Sequence, residues 1–225
     1  MDSGLRVLLM LMAKPKNARG FMPRTGGIAG FFMLDRQHFF NTVRSSLFGG
    51  KMDISQVEGM SAILDAWEKS GNTDLRQLAY MLATVIHECN KTMQPITELG
   101  GRSYFDKYEP GTQIGKNLGN TVKGDGVKYK GRGFVQLTGR ANYQKAGDKL
   151  GVDLINNPDK ALEIPVATQI MFKGMGEGWF TGRTLGAYFS HTVCDWINAR
   201  RIINGTDKAI TISNYAKLFY AALGH

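Results

Sequence analysis

A mainly helical fold with one small sheet is what this sequence predicts, and three observations carry the prediction. Apolar residues recur at three- and four-residue steps through most of the chain. Capping residues and glycine stops bracket those runs. The main departure is a Gly-, Lys-, Asn- and Asp-rich stretch over residues 100–133, after which residues 133–138 (GFVQLT) alternate apolar and polar as in a short strand.

Residues 1–32 read as a basic, flexible extension. Within them LRVLLMLMA, residues 5–13, resembles the apolar core of a signal peptide. It falls short of the roughly 20 apolar residues that span a bilayer, and it lacks a cationic start and a small-residue cleavage site. Residues 14–30 are rich in glycine and basic residues, with Pro15 and Pro23, as in a tether. A folded domain then runs over 33–225. Its first helix covers 35–47, with Phe39, Phe40, Val43 and Leu47 on one face and Gly49-Gly50 as the stop. Ser55 to Glu58 match a capping box for a second helix, which buries Ile54, Val57, Ile63, Leu64 and Trp67 and ends at Ser70-Gly71.

Asp74 caps a third helix, in which Leu75, Leu78, Leu82, Val85, Ile86 and Cys89 recur at helical steps until Pro95 interrupts. Residues 100–133 form a long loop with short strands, one wall of a cleft. Residues 133–138 are a strand, with 129–133 as its partner or lead-in. Helices resume over 141–150, 165–175, 185–188 and 192–203, break at Asn204-Gly205, and finish over 213–223. The last of these is amphipathic, suited to packing on the core or, as a second reading, to an anionic lipid surface. No internal repeat is visible.

Composition narrows the class. At 225 residues and 43% hydrophobic, the chain has material for one well-buried core or a compact enzyme of two lobes. Lys and Arg number 28 against 19 Asp and Glu, a formal charge of +9, which calls for an anionic partner: nucleic acid, an anionic cell envelope or a membrane surface. Charge is the sole support for nucleic acid, since no reading element accompanies it, and nucleic acid is not an expected partner. Cys89 and Cys194 match neither a disulfide framework nor a zinc spacing and read as two thiols. Gly131, Gly133 and Gly139 do not form a dinucleotide-binding loop, and no phosphate-binding G-K-[ST] occurs.

Two acids carry the chemistry. At 100° per residue Glu88 lies about a quarter-turn from the apolar stripe of the third helix, at the edge of the core and partly withdrawn from water, a setting that suits a proton donor. Glu98 follows beyond Pro95, off that helix and able to face Glu88 across a groove. Hydrolysis of a glycosidic bond with inversion needs such a pair, one acid to protonate the leaving oxygen and one to deprotonate water on the opposite face. His87-Glu88 suggests the zinc motif H-E-x-x-H, but Lys91 stands where the second histidine belongs, so no metal site is expected. His87 itself reads as a structural, hydrogen-bonding histidine.

With these residues in view, the chain resembles glycoside hydrolase family 19, the family of plant class I and II chitinases and of many bacteriophage endolysins. The resemblance rests on AYMLATVIHE, YKGRGFVQLTGRANY, GMGEGWFTGRTL and RRIING. LGNTVKGDGVKYKGRGFVQLTGRANY is more similar to the phage branch than to the disulfide-containing plant enzymes. The resemblance implies a lysozyme-like helical fold of two lobes with a small hairpin beside the cleft. It implies Glu88 as general acid, Glu98 as general base and Thr138 as a holder of the attacking water. It implies sugar contacts at Gln136, Asn142, Asn204 and Tyr129, with no cofactor or metal. Cys89-Asn90-Lys91 departs from the family's usual continuation after the acid; Lys91 is expected to point into solvent. Lys208 stands near a further family acid, for which Asp207 is a candidate substitute.

The expected function is therefore an endolysin that hydrolyses the β-1,4 bonds of peptidoglycan, a monomer made in the host cytoplasm and released to the cell wall; signal-directed export is the second reading. The alternative within the class is a chitinase. Outside it stands a non-catalytic basic module that binds an anionic envelope.

Overall fold

The computed structural model describes residues 33–224, and the expectations for residues 1–32 lie outside the described residues. The architecture is mainly helical with a two-stranded antiparallel sheet, as the periodicity predicts. Helix α1 (Arg36–Leu47) is capped by Asp35, whose carboxylate accepts from the His38 N–H. The capping box of helix α2 (Ile54–Ser70) lies two residues before the expected one. Asp53 is its N-cap, the reciprocal partner is Gln56, and Gly71 closes the helix in the left-handed conformation.

Helix α3 (Leu75–Glu88) is the hub. Every residue from Leu78 to Ile86 is buried, so the helix is enclosed on all sides rather than along one stripe. It packs most extensively against the C-terminal helix α9 (Ala209–Ala222), and also against α2 and α7 (Ile164–Glu177). Helix α9 also packs on α1, where the rings of Phe39 and Phe219 stack at 6.3 Å. The core-packing reading of the C-terminal helix is the observed one: Ile212, Ala216 and Phe219 are wholly buried.

Helix α3 ends at Glu88, earlier than the apolar pattern implies. Asn90, Lys91 and Met93 all take positive φ, a tight reversal that α2 holds in place. The Gln56 amide donates to the Lys91 carbonyl, and the Gln94 amide donates to the Ser55 carbonyl. Gly59 of α2 lies so close that a β-carbon there would come within 1.7 Å of the Met93 carbonyl oxygen. This clamp fixes the end of α3 and the exit towards Glu98.

Strand β1 (Ile96–Thr97) pairs with β2 (Arg132–Gly133) in the register Ile96 to Gly133 and Thr97 to Arg132. The expected strand over 133–138 is a tight turn instead. Arg132 and Leu137 close it with paired backbone bonds, and both Gly133 and Gln136 have positive φ. Burial does not follow a strand's alternation either, since Phe134 and Val135 are adjacent and both lie in the core with Leu137, and the backbone reverses within the segment. The partner of β2 is the short β1, and 129–131 serves as lead-in.

Residues 100–130 contain helical turns where short strands were expected: a 3₁₀ turn over Arg102–Tyr108, α4 (Gln113–Asn117) and α5 (Asp125–Lys128). Helices α6 (Arg140–Leu150), α7 and α8 (Leu185–Tyr188) follow the periodicity closely. The expected helix over 192–203 is reduced to a 3₁₀ turn at Asn198–Ile202, preceded by a bridge between Phe189 and Cys194. Asp195 explains the change, because its carboxylate takes both the backbone and the side-chain N–H of Asn198 and so favours a turn over a continuous helix.

Candidate active site

A cleft of about 690 Å³ gathers Glu88 from the end of α3, Glu98 from just beyond β1, and Gln136, Thr138 and Asn142 from the β2–α6 connection, with Asn204 from beyond the 3₁₀ turn. Tyr108 and Arg200 line it too, and Ile114, Leu118, Phe180 and Ile203 supply apolar surface. Polar and charged side chains outnumber the apolar ones, so the cleft is a polar groove with apolar patches, a composition that suits a ligand rich in hydrogen-bonding groups.

The two carboxylates are held differently. Glu88 accepts a bond of 2.7 Å from the Arg200 guanidinium, whose side chain is 5% exposed against 17% for Glu88. Arg200 is in turn fixed by donating to the Asp207 backbone carbonyl. The main chain of Asp207 thus helps to position Arg200 beside Glu88. Glu98 is held by neutral donors: its Oε1 accepts from the Tyr108 hydroxyl at 2.9 Å and its Oε2 from the Gly131 N–H at 3.0 Å. Gly131 permits that approach, since a β-carbon there would sit 3.1 Å from Oε2 and 2.7 Å from the Gln136 amide oxygen. Each carboxylate oxygen has more than one acceptor direction, so Glu98 keeps capacity to accept from water. Burial, with the bond to Glu98 adding to it, pushes the Tyr108 phenol up to about 12, which keeps it a donor throughout the neutral range.

The remaining expected site residues divide between the cleft and the scaffold. The Thr138 hydroxyl donates to the Gln136 carbonyl at 2.8 Å, which leaves its oxygen able to accept from a water hydrogen. The Asn142 side-chain N–H₂ donates to the Thr138 carbonyl, and Asn204 accepts from the Gly205 N–H. Gln136 lines the cleft, but its N–H₂ is committed to the Ile96 and Gly133 carbonyls and ties β1 to the turn.

Tyr129 is a correction. It is fully buried, its hydroxyl donates to the Ile155 carbonyl, and its ring packs beside Tyr143, so it cannot reach a sugar. The long motif is mostly self-supporting structure of this kind: Arg132 holds the Lys128 and Lys130 carbonyls and Asp159, and Arg140 pairs with Asp125.

His87 is half-buried, and burial holds its imidazole below the usual range. Cys89 is buried, its thiol donating towards the Phe134 carbonyl, and burial pushes it up to about 12; Cys194 is exposed, and both are free thiols. Lys91 is exposed, as expected, with its ammonium 6.0 Å from the centre of the Tyr215 ring. Among the described residues no cluster of His, Cys, Asp or Glu is placed to hold a metal ion, and no helix is long and apolar enough to cross a membrane.

A sequence profile described as chitinase class I matches residues 59–193, which include Glu88, Glu98, Tyr108, Thr138 and Asn142. The chain belongs to the chitinase class I family. Similar proteins include Chitinase 8 of Oryza sativa subsp. japonica, 37% identical over 84 residues, 37% of this chain and 28% of that protein. Chitinase 11 of the same rice is 42% identical over 65 residues, 29% of this chain and 24% of that protein. The matched stretches thus span about a quarter of the length of these relatives. The fold is shared with chitinase C from Streptomyces griseus HUT6037, with a TM-score of 0.59 at 22% identity, covering 88% of this chain and 96% of that one. Two residues of the cleft carry no signal in the sequence, Tyr108 and Arg200: Arg200 stands within RRIING, where nothing local links its arginine to Glu88, and Tyr108 lies in the stretch whose structure the periodicity did not reveal.

Proposed function

We propose that this chain is an inverting glycoside hydrolase for β-1,4-linked N-acetylhexosamine polymers, with chitin-type N-acetylglucosamine chains as the substrate that the relatives' names favour. The observation that carries the reading is the pairing of Glu88 and Glu98 in one cleft with distinct supports. Glu88 donates its proton to the glycosidic oxygen as the bond from that oxygen to the anomeric carbon breaks. Arg200 then stabilises the carboxylate that remains. Glu98 takes a proton from a water whose oxygen forms the new bond to the anomeric carbon from the opposite face. Thr138 accepts a second hydrogen of that water and limits its orientation. Neither step needs a metal or cofactor in this scheme.

Glu88→Gln keeps the shape and removes the proton. The rate of cleavage of a soluble N-acetylglucosamine hexamer is expected to fall by about 10²–10⁴-fold, the range for general acid catalysis. A variant as fast as the wild type would exclude Glu88 as the acid. Binding without any cleavage by the wild type would favour the non-catalytic envelope-binding reading.

The same bond chemistry serves peptidoglycan, whose glycan strand is also β-1,4-linked, and one feature favours that second reading: a cationic cavity beside the cleft. On that reading the chain is an endolysin-type enzyme, made in the cytoplasm and acting at the cell wall. Comparing cleavage of purified peptidoglycan with that of the hexamer separates the two substrates.

A further inference from the structure

A second cavity, of about 600 Å³, shares the Arg102–Tyr108 turn with the cleft: Phe105 and Asp106 line the cavity, and Tyr108 lines the cleft. Four cations border it, Arg102, Lys123, Lys128 and Lys130, and none of them makes an ion pair among the described residues. Two carboxylates are present. Glu109 is already engaged by the N–H groups of Gly124 and Gly126, and Asp106 is exposed. Between the cations lies an apolar floor of Phe105 and Val127, with the Lys130 ammonium 5.2 Å from the Phe105 ring centre.

Unpaired cations around an apolar floor suit a ligand that alternates carboxylates with small alkyl groups. The cavity is also near the chemistry. Gly100, which lines it, is two residues from Glu98, so their α-carbons are within about 8 Å. Lys130 precedes Gly131, the residue whose N–H holds Glu98. An extended peptide of three residues reaches about 10 Å, more than that α-carbon separation. An unsubstituted N-acetylglucosamine polymer is uncharged and leaves the four cations without a partner.

We propose that this cavity binds the carboxylates of a short peptide branch carried by the glycan strand in the neighbouring cleft. The proposal rests on the glycoside hydrolase reading for the location of the glycan and on its second, peptidoglycan form for the peptide branch, and its test separates the site from the hydrolase. The double variant K123E/K128E reverses two exposed charges away from the catalytic groups. Its KM for soluble peptide-bearing peptidoglycan strands is expected to rise roughly tenfold. Its kinetics on the neutral hexamer should stay within about twofold of wild type, since no partner of the reacting groups has changed. Raising salt should weaken wild-type binding of the peptide-bearing strands and leave the hexamer unaffected.

A direct arm uses the free tripeptide L-alanyl-γ-D-glutamyl-diaminopimelate as probe, followed by NMR on the intact chain. Shifts at Gly100, Phe105 and Val127 that disappear in K123E/K128E support the site. No shifts there, equal loss on both substrates, or equal displacement of the tripeptide by inorganic phosphate would each overturn it. Tripeptide binding in a protein that cleaves neither glycan would sink the hydrolase reading and leave the anion-binding site standing. Cleavage of the hexamer without tripeptide binding would do the reverse.

Discussion

Tyr108 shows how one side chain sets up another. Its phenol donates to Glu98, and burial together with that bond keeps the proton on the tyrosine oxygen. Tyr108→Phe removes a hydrogen bond to a charged group, worth about 1.5–3 kcal/mol, without emptying space. We expect kcat to fall by roughly ten- to a hundredfold with KM little changed, because the loss is in the orientation of the base. A KM effect with kcat intact would make Tyr108 a substrate contact instead. Glu88 was legible in the sequence because helical spacing alone puts it at the edge of the core. Arg200 was not, since it meets Glu88 across 112 residues of chain and a tertiary contact of that length leaves no local pattern. Tyr129 misled for the complementary reason: membership of a specific motif does not distinguish a residue that touches a sugar from one that holds the motif together.

At the scale of elements, the reach of Glu98 depends on how α3 stops. The reversal after Glu88 needs three non-glycine residues with positive φ, a strained arrangement that persists because α2 packs on it. Gly59→Ala would drive a β-carbon into the Met93 carbonyl, and we expect a loss of about 1–3 kcal/mol in urea unfolding together with reduced activity. Unchanged stability and activity would mean that the clamp is slack. Helices α1, α2, α3 and α9 were legible because each buries a run of apolar residues at helical steps. Residues 100–130 were not, because they are held by side chains bonding to backbone, as Thr112, Asn120 and Glu109 do, and these bonds have no period. The stretch over 133–138 has a strand-like mix of apolar and polar residues, yet so short a pattern is equally compatible with a closed turn, and Gly133 and Gln136 with their positive φ decide for the turn.

For the whole molecule, the loop side of the cleft is fastened to the helical body through the Asp125–Arg140 pair. Burial alone would raise the Asp125 carboxyl; the Arg140 guanidinium and the N–H groups of Val122 and Thr121 outweigh it and leave the carboxyl below its usual value. A carboxyl lowered by folding stabilises the native state above the unfolded value, about pH 4, and that contribution is lost as pH falls through the folded value. Asp125→Asn should therefore cost about 2–3 kcal/mol at pH 7, with the gap to wild type narrowing below about pH 4. A gap independent of pH in urea titrations would remove the charge from the explanation. The account as a whole stands on Glu88 and Glu98 acting from opposite faces of a sugar, and the stereochemistry of the product reports that directly. Proton NMR of the N-acetylglucosamine hexamer during the first turnovers is predicted to show the α-anomer at the new reducing end. First appearance of the β-anomer would contradict the two-carboxylate inverting mechanism.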